Sequence, residues 1–140
     1  MRPGTIKTLL ILAFAAALVA SRASADTPPD DWKAPARAAR RKNPIAAEEK
    51  SVAAGKVVYA AQCLSCHGPV GHGDGPAAKD LNPKPRNLSD TAIQEQTDGS
   101  MFWKITEGKK PMPTFGALIS EDDRWNVINF VRTLAAKGTK

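Results

Sequence analysis

Apolar residues are unevenly distributed along the chain, and the longest apolar run lies near its start. Residues 9–20 are 12 consecutive apolar positions preceded by Arg2 and Lys7, and Ala23-Ser24-Ala25 follows them. A basic start, a short apolar stretch and small residues around a cleavage point are typical of a secretory signal. As a helix the run would cover about 18 Å, too short for a hydrocarbon core of roughly 30 Å. The pattern therefore predicts that residues 1–25 are a cleaved signal peptide and that the protein is periplasmic or otherwise exported.

Residues 26–44 show no regular alternation of apolar and polar positions and contain four prolines. Proline removes a backbone donor and disfavours helix in the residue before it, so this segment is expected to be an irregular lead-in. Its basic positions could dock a partner or an anionic headgroup, but a solvated tail is the simpler interpretation. These positions are Arg37, Arg40, Arg41 and Lys42.

Helical periodicity starts after the lead-in, in residues 46–62. Ala53, Val57 and Ala60 share one helical face there, with Ala54, Val58 and Ala61 beside them, which predicts a helix. Gly55 within it costs roughly 1 kcal/mol relative to alanine unless a neighbour needs the space.

Two further helices are predicted nearer the end of the chain. The first covers residues 99–107, with Asp98 as its cap and Gly108 as its stop. The second opens at Ser120 in a capping-box arrangement and ends at Gly138. It has two apolar faces, one with Trp125 and Ile128 and the other with Val127, Phe130 and Leu134. Glycines and prolines in residues 68–87 predict a loop, and no strand pattern or repeat is present, so the class is all-α with long loops.

The motif that carries chemistry is C-x-x-C-H at Cys63, Cys66 and His67. This spacing is the attachment signature of c-type haem, because two thiols just past a helix can add to the vinyl groups on one edge of the porphyrin. The next residue brings an imidazole beneath the iron, and neutral imidazole is a good axial ligand. The motif predicts one covalent haem c with its iron.

Three other chemistries fit parts of the motif less well. A structural disulfide between Cys63 and Cys66 is possible outside the cytosol. A thioredoxin-like redox pair needs a βαβ context that the pattern lacks. Zinc could take both cysteines with His67 and His72, but the usual second ligand pair is missing.

The second axial ligand decides what the haem does. Met112 is favoured, because it lies between Pro111 and Pro113 and the prolines stiffen its loop. Met101 starts a predicted helix, where packing is the better interpretation. His72 is only five residues from His67, too short a tether for the opposite face, and a vacant or water-filled position remains the last alternative. A thioether raises the potential and fills the coordination sphere, which leaves outer-sphere electron transfer.

Charge excludes some other functions. The precursor has 20 Lys and Arg against 14 Asp and Glu, for a formal charge of +6. The first 25 residues hold three of the basic residues and none of the acidic ones, which leaves +3 on the remainder. That balance, without aromatic interleaving, gives no indication of nucleic-acid binding.

Residues 51–136 resemble a class I cytochrome c of the bacterial monohaem type. The resemblance rests on Gly55-x-x-x-Tyr59-x-x-x-Cys63, the haem motif, Met112-Pro113 and the final helix. It implies a small fold in which the first and last helices cross, with Val127 and Phe130 meeting Gly55 and Tyr59. It also implies His67 and Met112 as iron ligands. The family commonly supplies a proline carbonyl to the proximal histidine, and Lys79 occupies that place here.

The function expected from these features is electron transfer rather than enzymatic catalysis, in a domain covering residues 45–140. The carrier would exchange electrons with redox proteins, which a basic collar could steer if their surfaces are acidic. The collar would contain Lys79, Lys84, Arg86, Lys109 and Lys110. The alternatives are a fixed cytochrome subunit attached through the lead-in and, less favoured, an open-site haem enzyme or sensor.

Overall fold

The computed structural model describes residues 32–135, and every regular element in that range is helical. An all-α class is therefore confirmed for the described part, where the only β-type pairing is an isolated bridge between Lys109 and Met112. The predicted signal peptide lies outside the described residues. The limits of the predicted 45–140 domain stay a prediction.

Six α-helices and one short 3₁₀ turn make up the described fold. In chain order the helices are α1 Ala36–Ala39, α2 Glu49–Gln62, α3 Leu64–His67, α4 Thr91–Gln94, α5 Asp98–Glu107 and α6 Glu121–Arg132; the 3₁₀ turn is Ala78–Asp80.

The caps of α5 and α6 show how well local signals set the helix ends. Thr97, not Asp98, caps α5, because its side chain accepts a hydrogen bond from the backbone N–H of Ser100. Ser120 caps α6 as predicted, accepting from the N–H of Asp123 at 3.1 Å. Helix α6 ends at Arg132, earlier than predicted from Gly138.

Helices α2 and α6 cross in direct contact at Gly55. A Cβ at this position would overlap the backbone carbonyl of Asn126 and press on the Cβ of Phe130, so only glycine allows the approach. One turn later the rings of Tyr59 and Phe130 pack with centroids 5.0 Å apart. The crossing implied by the resemblance is therefore confirmed, and Val127 belongs to the same buried cluster.

The alanines and valines of α2 mark two neighbouring faces, and Val58, on the second of them, packs against the cluster that joins α2 to α6. Ala53, Val57 and Ala60 point to solvent, and Val57 is 70% exposed. The buried positions of α2 are Ser51, Gly55 and Tyr59. Periodicity alone identifies the helix but not which side of it meets α6.

A second apolar cluster joins α5 to the other face of α6. The rings of Phe102 and Trp125 stack with centroids 4.0 Å apart, and Met101, Ile93 and Ile128 complete the cluster. The two clusters lie on the two apolar faces predicted for α6.

The described part of the lead-in lies against the start of α5, while its basic side chains, Arg37, Arg40, Arg41 and Lys42, are exposed as the solvated interpretation expects. Helix α1 lies against α5, and the hydroxyl of Thr97 donates to the carbonyl of Ala39 at 2.7 Å. A Cβ on Gly99 would overlap backbone atoms of Ala38 and Arg41, which shows how closely the two segments approach. The guanidinium of Arg41 lies 4.6 Å from the centroid of the Phe102 ring.

A chain of buried amides fixes the end of the lead-in. The Asn43 side chain donates to Asn129 Oδ1 at 2.9 Å, and the Asn129 amide donates to the Ser51 hydroxyl at 2.7 Å and the Ile45 carbonyl at 3.1 Å. Buried polar groups need such partners, so the network ties the lead-in to both crossing helices.

Candidate functional site

The haem motif lies at the end of α2, where one helix passes directly into another. Cys63 is both the C-cap of α2 and the N-cap of α3, and its carbonyl accepts from the N–H groups of Cys66 and His67 at 3.2 and 2.9 Å. This single turn places all three side chains of the motif on one short, hydrogen-bonded segment.

The environment of Cys63 suits a neutral sulfur. Cys63 and Cys66 are free thiols and both are partly buried. Burial, with a smaller contribution from neighbouring Cys66, raises the pKa of the Cys63 thiol to about 12. A site that disfavours thiolate accepts a thioether without a charge penalty, so these residues fit the covalent attachment that the motif predicts.

Zinc gains no support from the geometry. Among residues 32–135, no three His, Cys, Asp or Glu side chains converge on a point that could hold a metal ion. His72 is exposed.

His67 is held in one tautomer by a backbone carbonyl. Its Nδ1 lies 3.1 Å from the carbonyl oxygen of Arg86, and since a carbonyl can only accept, Nδ1 carries the proton. This leaves the lone pair of Nε2 free for a metal. Burial lowers the pKa of His67 below its usual value, against the opposing effect of the Arg86 hydrogen bond, and so favours the neutral ring that iron binds.

The Arg86 carbonyl is a functional group that the sequence interpretation missed. It comes 19 residues after His67, whereas the expected partner would lie about a dozen residues after it. A backbone carbonyl has no residue signature, so the only usable signal was indirect: Gly73 has φ +77° and packs against the carbonyl of Pro85, beside Arg86. The glycine brings the two stretches of loop together.

The loop after His67 folds back over the motif. The N–H groups of Gly73, Gly75 and Ala77 donate to the carbonyls of His67, Cys66 and Ser65 at 2.9, 3.1 and 2.9 Å. A Cβ on Gly75 would overlap the carbonyls of Leu64 and Ser65, so the loop lies directly on α3.

Tyr59 connects the motif to the crossing of α2 and α6. Its hydroxyl donates to the carbonyl of Gly68 at 2.7 Å, and the side chain is 2% exposed. The residue next to His67 is therefore fixed to the core.

Met112 lies at the end of a tight turn rather than in an open loop. The N–H of Lys109 donates to the carbonyl of Met112 at 3.1 Å, and the N–H of Met112 donates back to Lys109 at 2.9 Å. Gly108, with φ +66°, ends α5 immediately before the turn. The Met112 side chain is partly buried.

The segment after Met112 is fastened to α5 and α6. The N–H of Gly116 and the hydroxyl of Thr114 both donate to the carbonyl of Thr106, at 3.1 and 2.6 Å. The carbonyl of Gly116 in turn accepts from Nη1 of Arg124 at 3.0 Å. Arg124 is buried beneath the loop, with its guanidinium 4.8 Å from the Phe102 ring centroid.

Met101 packs in the core, as its position on a predicted helix suggested. It is 6% exposed and belongs to the cluster that contains Phe102 and Trp125. Trp103 packs its ring against Trp32, with centroids 6.3 Å apart.

The predicted basic collar is only partly available to a partner. Lys84 Nζ donates to the carbonyls of Ala78 and Lys79 at 3.0 and 2.7 Å, so this ammonium stabilises the loop itself. Lys79 and Lys110 have exposed side chains.

Comparison with known proteins decides the family. The family model described as cytochrome c oxidase, cbb3-type, subunit III matches residues 50–131, more than half of the chain. The chain belongs to this cytochrome c family. The match includes the haem motif, Met112 and most of α6.

Curated relatives of this chain include cytochromes c6 from two organisms. Cytochrome c6 of Petalonia fascia is 30% identical over 87 residues, which cover 60% of this chain and 93% of that protein. Cytochrome c6 of Euglena gracilis is 34% identical over 86 residues, covering 58% of this chain and 90% of that protein.

Solved structures support the same fold. A chain of the reducing HAO-like protein complex of Kuenenia stuttgartiensis aligns with TM-score 0.59 and 28% identity. The alignment covers 66% of this cytochrome but only 47% of that chain. The KustC0563 c-type cytochrome aligns with TM-score 0.52 and 23% identity over 59% of this chain and 98% of its own length, a likeness that shows the fold.

These relationships establish a monohaem, class I-like electron-transfer cytochrome that carries covalently bound haem c. Its partners are therefore redox partners. Within residues 32–135, no helix combines the length and apolar character needed to cross a membrane.

Proposed function

We propose that Cys63 and Cys66 bind the haem through thioether bonds, that His67 and Met112 are the axial ligands of its iron, and that the protein passes single electrons between redox proteins without catalysing a reaction of its own. The haem, when bound, supplies the one-electron ferrous–ferric couple. Everything else in the function is done by the chain, which binds, orients and encloses that group.

The observation that carries the proposal is the hydrogen bond from His67 Nδ1 to the Arg86 carbonyl. A histidine that served only packing would have no reason to present a free Nε2 one residue after a pair of partly buried thiols. The bond also fixes the ring orientation, as outer partners of metal-bound histidines generally do.

Met112 completes the proposal because its loop is rigid. Two backbone hydrogen bonds close the Lys109–Met112 turn, and Arg124 and Thr106 hold the segment that follows. A ligand that is held in place needs little rearrangement when the iron changes oxidation state. Such an arrangement favours electron transfer over ligand exchange, which an open-site enzyme or sensor would require.

Paired methionine variants test the proposal. Ferric iron bound to a thioether sulfur gives a weak charge-transfer band at the red end of the visible spectrum. We expect Met112→Leu to abolish this band and lower the midpoint potential, because the sulfur favours ferrous iron. Met101→Leu, a swap of similar volume in the core, should keep the band and cost less than about 1.5 kcal/mol of folding free energy.

The wild-type spectrum separates the remaining alternatives. Haem staining of the denatured protein should show covalent attachment, and Cys66→Ala should weaken it. A ferric wild-type protein without the charge-transfer band would contradict methionine ligation and favour the open-site enzyme or sensor.

A second candidate, a fixed subunit of a larger oxidoreductase, is favoured by two observations. The described lead-in is a docked segment with an exposed basic surface rather than a free tail, and one structural neighbour belongs to a named protein complex. Purification at native expression levels distinguishes the two: a carrier elutes as a monomer-sized red protein, and a subunit co-migrates with larger partners.

An exported location completes the proposal, supported by the signal-like pattern of residues 1–25. N-terminal sequencing of the red protein should begin after Ala25. A mature protein that retains residue 1 would contradict cleavage.

A further inference from the structure

The lead-in forms a groove on the surface, and arginines dominate it. The groove has a volume of about 650 Å³ and is lined by Pro35, Arg37, Ala38, Arg40 and Arg41. Its apolar part is contributed by proline and alanine, and its rim carries guanidinium groups. This surface has no part in the proposed haem site.

The three guanidinium groups differ in how many contacts they make within the described fold. Arg41 pairs with Glu121 at 2.7 Å and packs near Phe102 and Trp125. Arg37 and Arg40 have exposed side chains, and within residues 32–135 neither forms an ion pair or a side-chain hydrogen bond. Two positive charges therefore face solvent beside one that is anchored.

The groove has a fixed framework beneath it. Helix α1 is attached to the start of α5 by the hydrogen bond from Thr97 and by its close approach to Gly99. Arg41 also forms an ion pair with Glu121, the first residue of α6. Side chains on a docked segment lose less conformational entropy on binding than those on a free tail.

The groove and the proposed haem site lie at opposite ends of α5. The lead-in contacts Gly99 at the beginning of this helix, whereas the Met112 loop is fastened to Thr106 near its end. At 1.5 Å per residue these positions are about 10 Å apart along the helix. A partner bound in the groove would leave the Met112 loop uncovered.

We infer that this groove is an anchoring site for a carboxylate-rich peptide segment of a protein partner. Guanidinium groups pair with carboxylates through two parallel hydrogen bonds, and Arg37 and Arg40 offer two such forks beside an apolar floor. The large apolar side chains exposed in the described part are Val57, Val70 and Leu118, none of which belongs to the lead-in to anchor it in a bilayer.

Two double variants with the same change in charge test the inference on the haem-containing protein. Arg37→Gln with Arg40→Gln removes the forks, and Lys50→Gln with Lys56→Gln removes two exposed charges from α2. Binding of a fluorescent octaglutamate peptide is measured at low ionic strength. We expect the arginine variant to bind about tenfold more weakly and the lysine variant to change less than about twofold. Unchanged visible and far-ultraviolet spectra confirm that both variants fold.

The other outcomes each overturn the inference. Equal weakening in both variants would mean that only net charge matters, and undetectable binding to the wild type would mean that the groove holds no acidic peptide. In a last experiment, binding of each protein to phosphatidylglycerol vesicles is measured by sedimentation. If the arginine variant loses vesicle binding but keeps the peptide, the surface faces a membrane instead. Because the readout is peptide binding, it does not depend on which residues ligate the iron.

Discussion

The two sides of the proposed haem site are built in different ways. On the histidine side, the loop of residues 68–77 donates its backbone N–H groups to the motif that immediately precedes it. On the methionine side, the turn at Met112 closes on itself, and the following segment depends on α5 and on Arg124 of α6. One side is held mainly by neighbours in sequence and the other by packing between distant elements.

This difference predicts different weaknesses. A locally bonded loop fails when its own backbone geometry is changed, because no other element can replace the lost bonds. A loop suspended between helices fails when one of its attachments is removed, although its own turn survives. Variants on each side can therefore be ordered by the size of their expected effect.

Gly73→Ala should have the largest effect. Gly73 has φ +77°, which strains any side chain, and its added Cβ would overlap the Pro85 carbonyl. We expect the free energy of unfolding to fall by about 3 kcal/mol, from backbone strain and overpacking together. Since Arg86 adjoins Pro85, the orientation of His67 should also change.

Denaturant unfolding of the ferrous protein measures this loss, and the haem spectrum reports the altered histidine. A loss below about 1 kcal/mol would mean that the loop adapts, and the histidine side would then be no stiffer than the methionine side.

Arg124→Met should act on the methionine side. It removes a hydrogen bond from a charged group to the Gly116 carbonyl, worth about 2 kcal/mol. It also removes a buried positive charge beneath residues 109–116, the loop that contains Met112 and is called the axial loop below. Loss of this charge should stabilise ferric iron and lower the midpoint potential. If Met112 ligates the iron as proposed, its charge-transfer band should weaken at a lower pH in the variant than in the wild type.

Arg41→Met is the matched control, because Arg41 approaches the same Phe102 ring but pairs with exposed Glu121 instead of the axial loop. Removing this surface pair should cost at most about 1 kcal/mol and leave the band unchanged. If the two arginine variants change the charge-transfer band equally, the hydrogen bond from Arg124 to the Gly116 carbonyl does not stabilise the loop in particular.

The same contrast explains what could be predicted from the sequence. The haem motif and the Ser120 cap depend on residue types at short spacing, and the Gly55 crossing was implied by the family resemblance; the described fold contains the cap and the crossing. The Arg86 carbonyl and the docking of the lead-in could not be predicted, because backbone acceptors and contacts between distant segments have no local pattern. Arg41 illustrates the limit, since nothing in a run of basic residues indicates that one of them packs near an aromatic ring.

Alkaline pH should loosen the histidine side through Tyr59. Burial, with smaller contributions from the neighbouring Cys63 and Asp74, raises the pKa of Tyr59 to about 12, against an ordinary value of 10.0. The folded protein therefore keeps a proton that the unfolded chain loses. The contribution of Tyr59 to the free energy of unfolding is fully present below pH 10. It is lost as the pH rises from 10 to 12, by up to about 1.4 kcal/mol per pH unit.

Tyr59→Phe isolates this effect from the titration of lysines. The variant loses the hydrogen bond to Gly68, about 1 kcal/mol at neutral pH, but its unfolding free energy should decline less steeply above pH 10 than that of the wild type. The ferrous protein is used for both, because it holds a thioether ligand more firmly. Parallel curves would show that the hydroxyl ionises freely in the folded state.

Gly116→Ala should have the smallest effect, although Gly116 lies in the axial loop. Its added Cβ would lie 3.2 Å from Thr106 Cγ2, 3.3 Å from the backbone carbonyl oxygen of Thr106 and 3.4 Å from Arg124 Nη1, and each contact is relieved if the loop moves by a few tenths of an ångström. We expect a change of less than about 1 kcal/mol in unfolding free energy and an intact charge-transfer band. A loss as large as that of Gly73→Ala would show that the loop tolerates no displacement at its attachment points. The two sides of the site would then be equally rigid. The distinction between local hydrogen bonds and contacts with distant helices would not predict on which side a substitution is more destabilising.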